Sequence, residues 1–247
     1  MSASKSTSSR GLRLDAYLSR AGLASRREAR ILIRKSQVCV DGEVCRDAAR
    51  RIHSEMVTLG EETVESPAAH VDFLMHKPIG LACSHDQRES PLVFDLLDGA
   101  LARRDLEIAG RLDRETTGLL ILTTDGDLIH QLTHPTRKLP KRYRIQYKGE
   151  LAVDAVEQCQ AGILLGNDPR PTRPAELELQ GAGKATLVLR EGRTHQVRRM
   201  IRALGGEVVG LHRDRVGNFI LPDDLLSGDL RPLDPGGRAL LLSDKSL

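Results

Sequence analysis

Past a Ser-rich N-terminal stretch, apolar residues fall into a helical rhythm: Leu14, Leu18 and Ala21 recur at i, i+4 and i+7, and Gly22 stands where a helix C-terminus would use it. Ser25 with Glu28 three residues later is the signature of a capping box, and it predicts a second helix with Ala29, Leu32 and Ile33 on one face. The period then drops to two. Val38 and Val40 alternate up to Asp41-Gly42, a pair suited to a two-residue hairpin turn, and Val44 resumes the pattern. Helix, helix and hairpin are complete by residue 59, and residues 60–69, acidic and rich in small residues with one Pro, read as a linker.

A second region starts near residue 70. Phe73-Leu74-Met75 predicts a buried strand ended by the turn Lys77-Pro78-Ile79-Gly80. Leu119-Leu120-Ile121-Leu122 predicts an interior strand that stops at Asp125-Gly126. Tyr143, Ile145 and Tyr147 alternate with Arg142, Arg144, Gln146 and Lys148, so one strand face is aromatic and the other basic. Strands are expected at 175–179 and 185–190, then a helix from His195 to Leu204 stopped by Gly205-Gly206. Residues 1–11 and 236–247 read as tails, the first disordered.

With 247 residues, the chain suits one large domain and a small companion. Three Tyr, three Phe and no Trp leave the core to aliphatic side chains and restrict stacking roles to six residues. Neither a membrane-length apolar run nor a secretory leader is visible, so a cytoplasmic protein without membrane association is expected. Cys39, Cys45, Cys83 and Cys159 include no Cys-x-x-Cys pair and read as packed, reduced thiols. The net charge of +3 conceals an asymmetry: residues 1–51 hold 12 Lys or Arg against 5 Asp or Glu. The rest of the chain is therefore net negative. Arg26, Arg30 and Arg34 fall on one face of the second predicted helix with Arg27 and Lys35 beside them, a spacing that can follow a phosphate backbone.

The most informative stretch is GRLDRETTGLLILTTDG, residues 110–126, in which Asp113 lies in a polar loop just before a buried strand, between Gly110 and Gly118. Spacing alone favours a local role for Asp113, capping a turn or pairing with Arg111 or Arg114. His130 and His134, four apart, lack a spaced third ligand, and Gly181-Ala182-Gly183-Lys184 lacks the Ser or Thr of a phosphate loop and reads as a hairpin turn.

The motifs nevertheless resemble, in order, those of the pseudouridine synthases. Gly110-Arg111-Leu112-Asp113 followed by Thr116-Thr117-Gly118-Leu119 resembles the segment around the family's catalytic aspartate. HKPIG at 76–80 is similar to its first catalytic-domain motif, Lys141-Arg142-Tyr143 to its tyrosine motif, and EGRTHQVRRM at 191–200 to its basic motif. Residues 12–59 resemble the S4 RNA-binding module that precedes the catalytic domain in one branch. His76 and Thr194-His195 depart from that branch's usual residues. The resemblance implies an α+β fold: an S4-like helix-helix-hairpin domain at 12–59, a linker at 60–69, and a catalytic domain at 70–235 with a mixed, largely antiparallel sheet flanked by helices. It implies isomerisation of uridine to pseudouridine without metal or cofactor. Asp113 would be the nucleophile, Tyr143 would stack on the base, and Arg198 would be the basic partner. Arg111, Lys77 and His195 would contact substrate, and Arg26, Arg27, Arg30, Arg34 and Lys35 would contact RNA.

Residues 173–177, 211–217 and 228–233 look most like the branch that modifies uridine 516 of bacterial 16S rRNA. The expected partner is therefore ribosomal RNA, in a small-subunit assembly particle, met by a monomer. A 23S rRNA enzyme of the same branch and a non-catalytic RNA-binding assembly factor are the alternatives.

Overall fold

The computed structural model describes residues 11–68, 70–134, 136–137, 139–166 and 168–244. Of the tail expected over residues 1–11, only Gly11 is among them. The chain forms two compact units, one comprising the chain up to Val71 with Phe94–Glu107, the other Asp72–Val93 with the chain from Ile108 onward.

The first unit carries β1 (Leu12–Arg13), α1 (Leu14–Arg20), α2 (Arg26–Arg34), β2 (Val38–Val40), β3 (Glu43–Val44), β4 (Arg51–Ile52), β5 (Val57–Leu59), β6 (Glu62–Val64) and α3 (Gly99–Arg103). The capping box closes in both directions: Ser25 Oγ accepts from the Glu28 N–H at 3.3 Å, and the Glu28 carboxylate accepts from the Ser25 N–H at 2.8 Å. Asp41 and Gly42 both have positive φ, 52° and 81°, as a twisted two-residue hairpin requires. Leu14, Leu18, Ile33, Val38 and Val57 are fully buried. Each such side chain contributes about 1.5–3 kcal/mol through loss of apolar surface to water.

The sheet order here is β3-β2-β5-β6, so the expected linker at 60–69 is corrected at its start. Glu62–Val64 pairs with β5, and Val64 turns inward. Exposed Glu61, Glu62 and Glu65 surround that single buried residue and hide the strand's alternation. Gly22, expected to cap α1, follows the cap Ala21 with φ 77°, and a Cβ there would lie 2.7 Å from that of Ala100.

The second unit contains β7 (Asp72–Lys77), β8 (Glu107–Ile108, where the chain returns to this unit), β9 (Thr117–Thr123), α4 (Gly126–Thr133), β10 (Lys141–Lys148), α5 (Ala155–Ala161), β11 (Glu176–Leu179), β12 (Lys184–Leu189), α6 (Gln196–Ala203), β13 (Glu207–Val216), β14 (Phe219–Ile220), β15 (Leu230–Pro232) and α7 (Pro235–Leu241). Its main path is β11-β12-β10-β13-β9-β7-β15. All neighbours on it are antiparallel except β13 with β9, so the sheet is mixed and largely antiparallel. One core packs α5 and α6 onto the β12-β10-β13 part through Cys159, Met200, Ile201 and Leu187. Another gathers Leu119 and Ile121 of β9 with Leu128 of α4 and Leu241 of α7.

Helix α7 corrects the expected tail at 236–247. Pro235 occupies the first turn, Asp234 accepts the Gly237 N–H, and Arg238 is bound by Asp72 at 2.8 Å and by Asp125. The two glycines in its first turn obscure the helix in the sequence, and long-range ion pairs restore it. All four cysteines are free thiols, three of them buried. No helix among the described residues is long and apolar enough to cross a membrane.

Candidate active site

The loop between Gly110 and Thr116 is held from below by two buried cations. Lys77, the last residue of β7, is fully buried, and its Nζ donates to the carbonyls of Thr116 at 2.9 Å, Pro78 at 3.0 Å and Arg114 at 3.3 Å. Burial pushes its ammonium below the usual lysine range, and the charges of Cys83 and Asp113 offset only part of that. Arg213 of β13 donates from Nε and Nη2 to Leu119 O and from Nη2 to Gly110 O, so one guanidinium joins both ends of the loop. Gly118 makes this closeness possible: at φ 110°, a Cβ would sit 2.2 Å from the Arg213 carbonyl oxygen. The loop's far side is tied to residues 80–89. The Gly80 N–H donates to Arg114 O at 2.9 Å, Arg114 reaches the Gly80 and Glu89 carbonyls, and the Leu112 N–H donates to Cys83 Sγ at 3.4 Å.

Above the loop opens a cavity of about 970 Å³ lined by Arg111, Asp113, Tyr143, His195 and Arg213, with apolar wall from Leu112, Leu132, Leu189 and Val197. This is the upper end of the size range of ligand clefts. The Asp113 side chain is 39% exposed, and its neighbour is the His195 ring, whose Nε2 lies 3.7 Å from Oδ1. Tyr143, half-buried on β10, follows a register shift between Arg142 and Tyr143 against β13, and it pairs across the sheet with Arg213 and Leu187. An irregularity of this kind re-aims a side chain at a site. His195 precedes α6 with φ 51° and ψ 30°, a left-handed conformation uncommon for a residue with a side chain. Its turn is built by Gln196, which accepts the Arg193 N–H at 2.8 Å and donates to Glu191 at 2.7 Å. Arg193 and Arg199 are both bound to Asp168, at 3.1 and 2.6 Å, and hold it well below the usual carboxylate range.

The structure thus gathers Asp113, Tyr143, Arg111 and His195 on one cavity and places two other expected residues outside its lining. Lys77 does not line it; its buried ammonium donates to loop carbonyls. Arg198 is likewise absent from the lining and does not pair with Asp113. Its guanidinium reaches Glu115 O at 3.1 Å, Val208 O at 3.3 Å and the Glu115 carboxylate at 3.5 Å. Sequence reasoning missed Arg213 and Lys141, both on the cavity wall. The signal was present in the residues: a cation two positions before Tyr143 shares its strand face, and Arg213 sits inside the segment at 211–217 that carries the branch resemblance.

In the first unit, the expected basic stripe is partly consumed. The Asp15 carboxylate, fully buried, accepts from Arg30 at 3.0 Å and Arg13 at 3.1 Å, with Arg26 at 3.5 Å, and Arg26 also pairs with Asp105 at 3.2 Å. Burial alone would raise the Asp15 pKa, but hydrogen bonds from Arg13 and Arg30 and the charge of Arg26 bring it below the usual range. The stripe is therefore not uniform: Arg27, Arg30, Arg34 and Lys35 are exposed, and of the three stacked arginines Arg26 and Arg30 also pair with Asp15.

Comparison with known proteins matches residues 70–203 to the model described as RNA pseudouridylate synthase, and residues 12–58 to that of the S4 domain. The chain belongs to the RNA pseudouridylate synthase family. A pseudouridine synthase is an isomerase, and among the relatives is the ribosomal small subunit pseudouridine synthase A of Escherichia coli K12, 38% identical over 223 residues, covering 90% of this chain and 96% of the relative. The protein of that name from Haemophilus influenzae is 36% identical over 223 residues, with the same coverage. A crystal structure of a pseudouridylate synthase superposes with a TM-score of 0.67 at 35% identity, covering 94% of this chain and all of the other. The fold is thus an S4 domain followed by a pseudouridine synthase domain.

Proposed function

We propose that this pseudouridine synthase isomerises one uridine of small-subunit ribosomal RNA, uridine 516 of 16S rRNA, with Asp113 as the nucleophile. The observation that carries this reading is the Asp113 carboxylate itself: partly exposed in a cavity, with Lys77, Arg198 and Arg213 bound to carbonyl groups and the His195 ring 3.7 Å away. In the reaction the C1′–N1 bond breaks and a C1′–C5 bond forms, the C5 proton leaves, and N1 gains one, so mass is conserved. A carboxylate is ionised at neutral pH and can attack without a separate base. Tyr143 stacks on the base, a role suited to a planar ring with a polar tip. Arg111, exposed beside Asp113, displaces the target from its helical stack, because a stacked uridine is inaccessible to a cavity of this depth. His195 borders the carboxylate, and Lys77 and Arg198 hold the backbone on either side of it.

The small-subunit target is supported by the relatives' names and by their near full-length overlap with this chain. The S4 unit grips RNA through Arg27, Arg34 and Lys35, whose exposed charges can neutralise phosphates. The protein acts in this reading as a monomer on an assembling small-subunit particle.

The test is release of tritium from 16S rRNA labelled at uridine C5, free and in small-subunit particles, by wild type and Asp113→Asn. Release by wild type alone, mapped to one uridine, is the expected outcome. Release by the variant would remove Asp113 from its role, and release only from 23S rRNA would move the target to the large subunit.

A further inference from the structure

Lys141 lines the cavity, and the proposed reaction leaves it without a role. It opens β10 on the same face as Tyr143, two residues away, and half of it is buried. Arg213, whose charge acts on it, is of the same sign and is already bound to Leu119 and Gly110. No hydrogen bond or ion pair joins the Lys141 ammonium to any described residue. Burial, with a smaller contribution from Arg213, pushes its pKa down to about 8. A partly desolvated ammonium beside a second cation favours an anion at the site. No ion pair joins the ammonium to Asp113, whose neighbour is His195.

We propose that Lys141 binds a backbone phosphate that flanks the target uridine. Side chains two apart on a strand are about 6.7 Å from one another. That spacing matches the offset between a base and its own backbone phosphate, so a uracil stacked on Tyr143 carries a phosphate to Lys141. Arg213 adds to the positive potential at this end of the cavity and keeps its hydrogen bonds to the loop. The phosphate is the 5′ or the 3′ one, and both present the same anionic oxygens. The inference rests on the cavity being the uridine site, which wild-type tritium release tests separately.

The experiment measures kcat and KM for 16S rRNA by tritium release between pH 7 and 9 and over a range of salt, for wild type, Lys141→Met and Lys141→Arg. At pH 7, Lys141→Met is expected to raise KM about 10-fold with kcat nearly unchanged, and to reduce the log-affinity slope against log salt by about 0.7–0.9. Lys141→Arg, charged throughout this range, restores KM. Wild-type KM climbs above pH 8 as the ammonium loses its proton, whereas that of Lys141→Arg stays flat. Competitive inhibition by 5′-uridine monophosphate, 3′-uridine monophosphate and uridine identifies which phosphate is held. Equal inhibition by all three overturns the proposal, as does a KM that rises with pH in Lys141→Arg as in wild type. A kcat that rises through pH 8 in wild type while KM stays constant also overturns it, because that pattern makes Lys141 a base. The wild-type and Lys141→Arg profiles decide the matter even if Lys141→Met does not fold.

Discussion

Two aspartates, one in each unit, show how the same side chain is put to opposite uses. Asp15 is fully enclosed and accepts from Arg13, Arg26 and Arg30, so its charge is spent inside the unit. Asp113 is more than a third exposed, and the nearest ionisable side chain paired with it is His195 at 3.7 Å. Around it, cations are present but committed: Lys77 to three carbonyls, Arg213 to two, Arg198 to two carbonyls and Glu115. The protein uses positive charge to fix the loop geometry and leaves the carboxylate available. A saturated carboxylate stabilises, and an unsaturated one in a cavity can react.

The strongest way to break this comparison is to neutralise both aspartates. Asp113→Asn should lower turnover at least about 10³-fold while RNA affinity and thermal midpoint stay near wild type. Asp15→Asn should do the reverse, retaining turnover and losing about 2 kcal/mol of stability in denaturant titration, since its arginines are partly exposed. Should the two substitutions act alike, the distinction drawn here collapses. Next in size is Lys77→Met, which leaves three carbonyls without their donor. Turnover should fall about 10- to 100-fold with little change in KM, because the loop shifts while its charges remain.

The S4 unit allows a finer contrast. Replacing Arg27, Arg34 and Lys35 with Ala should flatten the salt slope of RNA affinity by about two. Replacing Arg26 and Arg30 should instead lower the thermal midpoint, as Asp15 is left buried with fewer partners. Smaller still is the acid response. The Asp15 and Asp214 pKa values are depressed, the latter by Arg142 and Arg144 against the effect of burial. Their stabilising contribution is complete above the ordinary carboxylate range and is lost as pH falls through the depressed values. Chemical denaturation between pH 6 and 2 should show that loss, and Asp15→Asn should reduce it.

The fold was legible wherever local chemistry dictated it. The Ser25–Glu28 box, the Asp41-Gly42 turn, the apolar run of β9 and the alternation of β10 each carry their own explanation in neighbouring residues. Strand β6 and helix α7 were not, because the first exposes all but Val64 and the second depends on Arg238 reaching Asp72 and Asp125. The site divides similarly. Asp113 and Tyr143 stand in long motifs, and the cavity gathers them. The assignment of Lys77, Arg198 and Arg213 to backbone carbonyls depends in part on Arg114, Glu115 and Leu119, which lie 37, 83 and 94 positions away, and no local pattern reports which cation will be buried beneath a loop and which will line it.

The return of Phe94–Glu107 to the first unit bears on how this protein can be dissected. A fragment ending at residue 68 would discard Ala100, which closes on Gly22, and Asp105, which binds Arg26. It would be a trimmed module with an unfilled surface and a loosened helix start. The complementary deletion would strand Phe94–Glu107 as an orphaned excursion from the remaining chain. The RNA-gripping part is thus stitched into its neighbour by sequence continuity at three places, and point substitutions report on it more faithfully than scissors.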